Sequence, residues 1–389
     1  MDNAAQRAWT WHKQGLDGSL AGSSAADVLS RAGWARSVGG ANPYLTLFAR
    51  AGIRREQADA DVAALRIHEL PTARGCTYVL GEADYAWALT LGQGAAEVTL
   101  KVLDKLDVDR AEVASLEAQT LQLLQDAKGP LDPKQLKEQL GEAVRNLGEE
   151  GKKKGASTTL PTVLGLLQAD GRIRRVPVNG RLDQQRYSYT AWGLPPATES
   201  GEDARSRLMA NYLAWTGGAT LKQTQWFTAF TVAQTKAALG AAGAVEHDGL
   251  WMLAADVAEA EDFSSPQDEQ IQLLAGTDAL FLLRRNAADH FAEDDRDRQL
   301  LSSKLALQAD LPDHPIVDRG RIIGLWQYDP GEERIAHWLF NKASDAVKQR
   351  IQDVEAFIRE DLGDFRSFSL DSPSSRQKRI DALNAASRE

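Results

Sequence analysis

Two groups of residues in this sequence have the charge or reactivity to do chemistry. The first is basic. Residues 151–190 hold eight basic side chains (Lys152, Lys153, Lys154, Arg172, Arg174, Arg175, Arg181 and Arg186) against two acids, Asp170 and Asp183. Such a stretch meets phosphate oxygens by charge attraction, a contact that positions nucleic acid without reading its sequence. The same residues also serve as solvated loops or protect a sheet edge, so charge alone leaves both uses open. The second group is His68-Glu69, followed by Pro71 and Arg74-Gly75. An imidazole and a carboxylate are suited to proton transfer; a structural ion pair between Glu69 and Arg74 is the competing use.

Other chemistries find little support. Cys76 is the one cysteine, so an intramolecular disulfide and a multi-cysteine zinc site are both excluded. No partner that would lower its pKa is evident, and a buried core thiol is expected. The six histidines (12, 68, 247, 290, 314 and 337) are widely spaced without an HExxH pattern. No metal or other cofactor is expected. The formal charge is −10, yet it is unevenly distributed: residues 255–300 carry twelve acids and four arginines. A polarised chain can present one basic face while remaining acidic overall, so double-stranded DNA stays open as a partner. No run approaches the ~18 apolar residues of a membrane span, and MDNAAQRAWTWHK lacks the order of a secretory signal. A monomer resident in the cytoplasm, associated with the nucleoid, is expected.

The elements around the basic stretch follow a recognisable order. VASLEAQTLQLLQDA is helix-periodic and stops at Gly129-Pro130. Asp132-Pro133 starts a second helix with a favoured cap and first residue. STTLPTVLGLLQADG, capped at Ser157, makes a third that ends at Gly171. RIRRVPV and RLDQQRYSYTAW then form two strands around Asn179-Gly180, a pair suited to a two-residue type I′ hairpin. Alternation would put Arg172 and Arg174 on one face and Arg175 on the other. Three helices and a hairpin are the order of a winged helix. A second copy follows, with helices in ARSRLMANYLAWTGG, ATLKQTQWFTAF (capped at Thr220) and TVAQTKAALGAAG, then strands around Asp248-Gly249.

The expected fold class is mainly α with β (α+β), with tandem winged helix-turn-helix domains followed by a β-barrel-like domain. The boundaries are 1–95 for a divergent N-terminal winged helix, 96–197 and 203–258 for the second and third, 268–341 for the barrel, and 342–389 for a helix with a fraying tail. IQLLAGTDALFLLRRN is read with the strand-rich segments. Trp192, Trp215, Trp226, Trp251 and Trp326 are assigned mostly to packing at the joints.

PYLTLFAR (43–50), ARG with CTYVL (73–80), NYLAWTGGATLKQTQW (211–226), IQLLAGTDALFLLRR (271–285) and VDRGRIIGLW (317–326) together resemble the AlkZ-like (YcaQ-like) winged-helix DNA glycosylases, in that family's order. The resemblance implies tandem winged helices, a C-terminal β-barrel and excision of alkylated bases or unhooking of crosslinks. It also implies a Gln-x-Gln or Gln-x-Asp pair just before the PYLxLxAR-like helix, which positions the hydrolytic water. Here Ala35 to Asn42 contains no Gln, Asp or Glu, and Asn42 is its one amide. Arg74-Gly75 match the family's Arg-Gly-Thr-Leu-His segment, whereas Cys76, Thr77 and Tyr78 depart from it. Gln223-Thr224-Gln225 has the right letters in a later unit. Glu69 is therefore the first substitute water-positioning residue, with His68 to orient it and Ser37 as the hydroxyl of the departed loop. Gly39-Gly40 either let the backbone approach a nucleotide or are what remains of a lost catalytic loop. Lys152, Lys153, Lys154, Arg172, Arg174, Arg175 and Arg74 are the DNA-binding candidates. The expected function is a DNA-binding repair protein of the glycosylase type; the alternatives are a non-catalytic lesion sensor and a transcription regulator.

Overall fold

The computed structural model describes residues 3–38, 40–184, 186–363, 365–368 and 371–388. Gly39 lies outside the described residues. The chain begins with α1 (Asn3–Lys13) and α2 (Ala25–Ala32), then β1 (Ala35–Arg36), α3 (Asn42–Ala51), α4 (Arg55–Ala63), β2 (Ile67–Pro71), β3 (Thr77–Gly81) and the long α5 (Tyr85–Asp104). Next come α6 (Arg110–Asp126), α7 (Pro133–Leu140), the short α8 (Gly148–Lys153) and α9 (Leu160–Ala169). The antiparallel ribbon β4 (Ile173–Pro177) and β5 (Tyr187–Ala191) closes this part. Helix α8 is one beyond the three expected in this part. A similar run without such an extra helix follows, with α10 (Gly201–Thr216), α11 (Leu221–Thr228) and α12 (Val232–Ala241), then the ribbon β6 (Ala244–His247) and β7 (Leu250–Leu253) and α13 (Ala254–Asp262).

The last part contains β8 (Ile271–Leu273), α14 (Ala279–Leu282), β9 (Gln299–Leu300), β10 (Ser303–Lys304), β11 (His314–Asp318), β12 (Arg321–Asp329) and β13 (Arg334–Leu339). Helices α15 (Asp345–Phe357) and α16 (Pro373–Ala386) complete it. The expected β-barrel-like unit is not closed. Its sheet is four-stranded and open, in the order β13-β12-β11-β8 and antiparallel throughout. One reason lies in ALFLLRR, expected as strand: the Asp278 carboxylate accepts from Leu280 N and caps a helical turn there. Only three residues are left for β8. The tail does not fray either, because Ile380 and Leu383 of α16 are buried.

Three local expectations also change. Asn179 and Gly180 adopt the positive φ values of a type I′ turn (61° and 73°), but they do not join the strands directly. The ribbon ends at the pair Pro177–Tyr187, and the chain past Gly180 leaves to bury Leu182 completely in a neighbouring core. Leu182 N donates to Tyr44 Oη (2.9 Å), and Arg181 binds Asp183 and the Leu362 carbonyl. Full burial of a leucine, about 1.5–3 kcal/mol, outweighs the tightest turn. The β6–β7 turn keeps the two-residue form, with Asp248 and Gly249 at φ 49° and 76°. Thr159, not Ser157, precedes α9, and its hydroxyl accepts from Arg145 N instead of capping. Finally, α5 runs unbroken through residue 95, where the sequence suggested a boundary.

The cores explain why boundaries are hard to draw. Residues 100–191 have a core largely of their own, around Leu103, Leu116, Leu136, Val163, Leu167 and Ile173. The N-terminal part shares one core with the C-terminal part (Leu29, Tyr44 and Val79 with Ile316, Trp326 and Phe357) and another with α10–α12 (Trp34 and Tyr78 with Tyr212, Trp215 and Phe227).

A buried ion pair stands where these parts meet. Arg50 of α3 is 2% exposed and donates to both oxygens of Asp278 (2.9 and 2.8 Å). It also donates to the Gln14 carbonyl and Gln14 Oε1 (both 2.9 Å), and Gln14 Nε2 reaches the Trp215 carbonyl at 2.6 Å. Removing one member of such a pair leaves an uncompensated buried charge. Arg50→Leu is expected to lower stability by about 3–5 kcal/mol in urea denaturation. Adding Asp278→Asn should restore part of that loss; a cost below about 1 kcal/mol for the single variant would mean that the pair is not a structural clasp.

Candidate functional site

Strand β2 carries IHELP, and its first four side chains are buried. In the β1-β3-β2 sheet, Glu69 lies opposite Val79 and Val79 opposite Ala35. Side chains alternate along a strand, so Ser37, two residues beyond Ala35, comes to the same face as Glu69. Its hydroxyl donates to Glu69 Oε1. Tyr187, the first residue of β5, donates to the same oxygen at 3.3 Å. Glu69 Oε2 has no hydrogen-bond partner among the described residues. The Arg175 guanidinium lies over the Tyr187 ring, 4.8 Å from its centroid.

Glu69 is 1% exposed, and burial raises its carboxyl to about 6. The Ser37 hydroxyl, the Arg175 charge and the Tyr187 hydroxyl favour the ionised form but do not cancel that cost. A carboxyl with this value is half-ionised near pH 6 and mostly ionised at neutrality, which suits a proton acceptor. Glu69 is not paired with Arg74, the competing use anticipated above: Arg74 is exposed and stacks on Trp226 at 4.1 Å, where Arg285 also approaches.

His68 points to the other face of β2. Its ring packs edge-on against Trp192 and Tyr85 (centroids 5.4 and 6.2 Å), and burial together with Arg174 and Arg175 pushes its pKa down to about 3. The expectation that His68 orients Glu69 therefore fails on geometry. Asn42 is also used elsewhere: its Nδ2 donates to the Arg36 carbonyl (2.8 Å) and its Oδ1 accepts from Thr46. Gly40 has a packing reason, since a Cβ there would lie 2.3 Å from the Ser367 carbonyl oxygen. Gln223 forms a capping box with Thr220 at the start of α11. Cys76 is half-buried against the Trp34–Tyr78 core.

The basic candidates divide. Lys152 and Lys153 are exposed and pair with Glu149 and Glu150 one turn away (2.6 and 2.8 Å). Arg172 is 3.9 Å from Glu117. Arg174 is half-buried near Tyr85 and His68, with its pKa lowered by desolvation. Lys154 and Arg175, by contrast, share a cleft of about 320 Å³ between α5 and α9, walled by small side chains such as Gly92, Ala95, Pro161 and Gly165. The turn after β2 also reaches it through Gly75, whose φ is 65° and where a Cβ would lie 2.5 Å from Ala95 Cβ. Arg175 is thus common to the cleft and to the Glu69 cluster. Tyr187 is the member that sequence reasoning missed; only the strand alternation of YSYTA marks it, and nothing local marks its partner. Among the described residues, no three His, Cys, Asp or Glu side chains converge to hold a metal ion.

Residues 33–357 match the family described as DNA glycosylase AlkZ-like. Among solved structures, the Streptomyces sahachiroi DNA glycosylase AlkZ is similar in fold, with a TM-score of 0.69 at 17% sequence identity over 93% of this chain and 97% of that one. No curated protein sequence matches the chain. The match to the family spans well over half of the residues, and the chain belongs to the AlkZ-like DNA glycosylase family.

Proposed function

We propose that this protein is a DNA-repair glycosylase that engages duplex DNA carrying alkylated or otherwise damaged bases, flips the damaged nucleotide and hydrolyses its N-glycosidic bond. The observation that carries this reading is the buried Glu69 carboxylate, raised to about 6 and joined through Arg175 to a cleft lined by Lys154. A run of helices closed by a two-stranded ribbon, with four helices in residues 110–191 (one of them the short α8) and three in 201–253, supports two winged helices as the DNA-binding frame. Flipping is required because a stacked base conceals the bond to be cut. Water attacks the anomeric carbon, Glu69 accepts its proton, and the bonding pair of the broken C–N bond leaves with the base. An alkylated cationic base departs neutral, so no acid is needed on that side. Ser37 and Tyr187 hold one Glu69 oxygen, and Oε2, which has no partner among the described residues, is the oxygen that takes the proton. The protein acts as a monomer on DNA in the cytoplasm.

The absence of Gln, Asp and Glu from residues 35–42 favours a second reading, a lesion sensor that binds without cutting. An excision assay on alkylated duplex DNA separates the two. Glu69→Gln is expected to slow single-turnover excision by about 10²–10⁴-fold while sparing DNA affinity, and the unmodified rate should rise with pH through about 6. Full excision by the variant would eliminate Glu69. Binding without excision by the unmodified protein would establish the sensor.

The same variant has a stability signature. Folding favours the neutral acid, so the group's stabilising contribution is complete below its ordinary value of 4.5 and is lost as pH rises through about 6. Glu69→Gln should therefore be more stable than the parent above that range, by about 2 kcal/mol, and the difference should vanish near pH 4. Urea denaturation at the two pH values measures it. For DNA contact, Lys154→Ala and Arg175→Ala should each reduce the slope of log K against log salt by about 0.9. Replacing Lys152 and Lys153, already paired with glutamates, should change it less.

A further inference from the structure

A second cavity shares no residue with the Lys154–Arg175 cleft. It measures about 240 Å³ and is enclosed by α1, the start of α11, the β6–β7 ribbon and the segment after α14. Gln223, Arg284, Asn286, Asp289, His290 and Arg296 are among its walls.

Its chemistry is specific. Arg284 is 7% exposed. Its Nη1 and Nη2 donate to the Gly218 carbonyl (3.3 Å) and Thr10 Oγ1 (2.5 Å), and its Nε has no partner among the described residues. Asp289 acts on it only through longer-range attraction. A guanidinium stays charged even when burial lowers its pKa, and a buried charge without a counter-ion is costly. Arg296 pairs with Glu293 through Nη1 (3.2 Å), while its Nε is likewise buried and unpartnered. The cavity thus offers cationic donors that no other described residue satisfies.

It also offers acceptors. Asn286 donates through Nδ2 to Asp289 (3.1 Å), but its Oδ1 has no partner among the described residues. His290 is 1% exposed and lies with Nδ1 2.7 Å from the Gly320 carbonyl. A carbonyl only accepts, so Nδ1 carries the proton. Burial pushes the ring pKa down to about 4, so at neutral pH Nε2 is a bare acceptor, and it too has no partner among the described residues. A fully deprotonated anion would meet these lone pairs with repulsion. An oxyanion that keeps a hydrogen would satisfy donors and acceptors together.

We propose that this cavity binds a protonated phosphate group, either inorganic phosphate or a singly ionised phosphate monoester, with Arg284 and Arg296 donating to its oxygens and His290 Nε2 and Asn286 Oδ1 accepting from its P–OH. Sulfate and the phosphodiester backbone of DNA carry no such hydrogen near neutrality. The site is independent of the glycosylase reading and would stand if that reading failed.

Calorimetric titration of the full chain near pH 6, where phosphate monoesters still hold a proton in part, tests it. Inorganic phosphate should bind saturably at one site, and sulfate about tenfold or more weakly. Arg284→Gln also removes the bonds to Gly218 and Thr10 and endangers folding. Arg296→Gln, at a half-exposed side chain, is the variant to use, and it should weaken phosphate about tenfold. Asn286→Ala should narrow the preference for phosphate over sulfate. Displacement of phosphate by a nucleoside 5′-monophosphate would identify a monoester as the ligand; retention of phosphate would identify the free ion. No saturable phosphate binding, equal affinity for sulfate, or unchanged binding by Arg296→Gln would overturn the proposal.

Discussion

The guanidinium of Arg50 and the carboxylate of Asp278, 228 residues apart in the chain, hold the molecule together at the point where three of its parts meet. Neither side chain reaches solvent, and each is satisfied more than once. Arg50 is held by Gln14 as well as by Asp278, and Asp278 caps α14 and accepts from Thr46. Gln14 carries the chain of bonds on to Trp215. An ion pair so fully bonded fixes one relative arrangement of the segments, because sliding any of them would strand a charge in an apolar interior.

That arrangement is what makes the Glu69 cluster possible. Arg50 anchors α3 at its last turn, and α3 follows directly on the segment that presents Ser37 to Glu69. Where that segment runs into α3 it is pinned by the packing of Gly40 on the backbone of Arg366–Ser367, with Ala41 N donating to the Arg366 carbonyl. Tyr187 arrives from the opposite direction, at the end of a ribbon whose connection is tied down by Leu182 and Tyr44. Two distant stretches therefore converge on one carboxylate. The arrangement destabilises the ionised acid, the usual cost of keeping a proton acceptor ready in an apolar setting.

The uneven charge of the chain takes on a different meaning in three dimensions. The acids of residues 255–300 are not simply a solvated face. Asp278 is spent in the clasp, buried Asp295 binds both Arg298 and Arg321 (2.7 and 2.8 Å), and Asp256 binds Lys13 (2.9 Å). In the basic stretch, glutamates already occupy Lys152 and Lys153. Lys154, whose Nζ donates to the Lys105 carbonyl, and Arg175 share a cleft where an anionic ligand could be met.

By itself the sequence determined what is local. Caps at Asp132 and Thr220, the left-handed turn at Asp248-Gly249 and the helical periodicities each depend on interactions spanning a few residues, so both ribbons and most helices of residues 110–253 were legible, as was the resemblance to the family, while α5, α8 and α14 were not. Tertiary structure decided whatever required comparing distant surfaces. It opened the sheet where a barrel was expected, drew the Asn179-Gly180 turn out into a docked loop, and merged supposed domains into shared cores. It likewise decided that Glu69 would meet Ser37 and Tyr187 rather than Arg74, and that His68 would face away. The physical reason is the same in each case: burial and buried hydrogen bonds are worth more than a single turn or cap preference, and their partners are chosen by the fold.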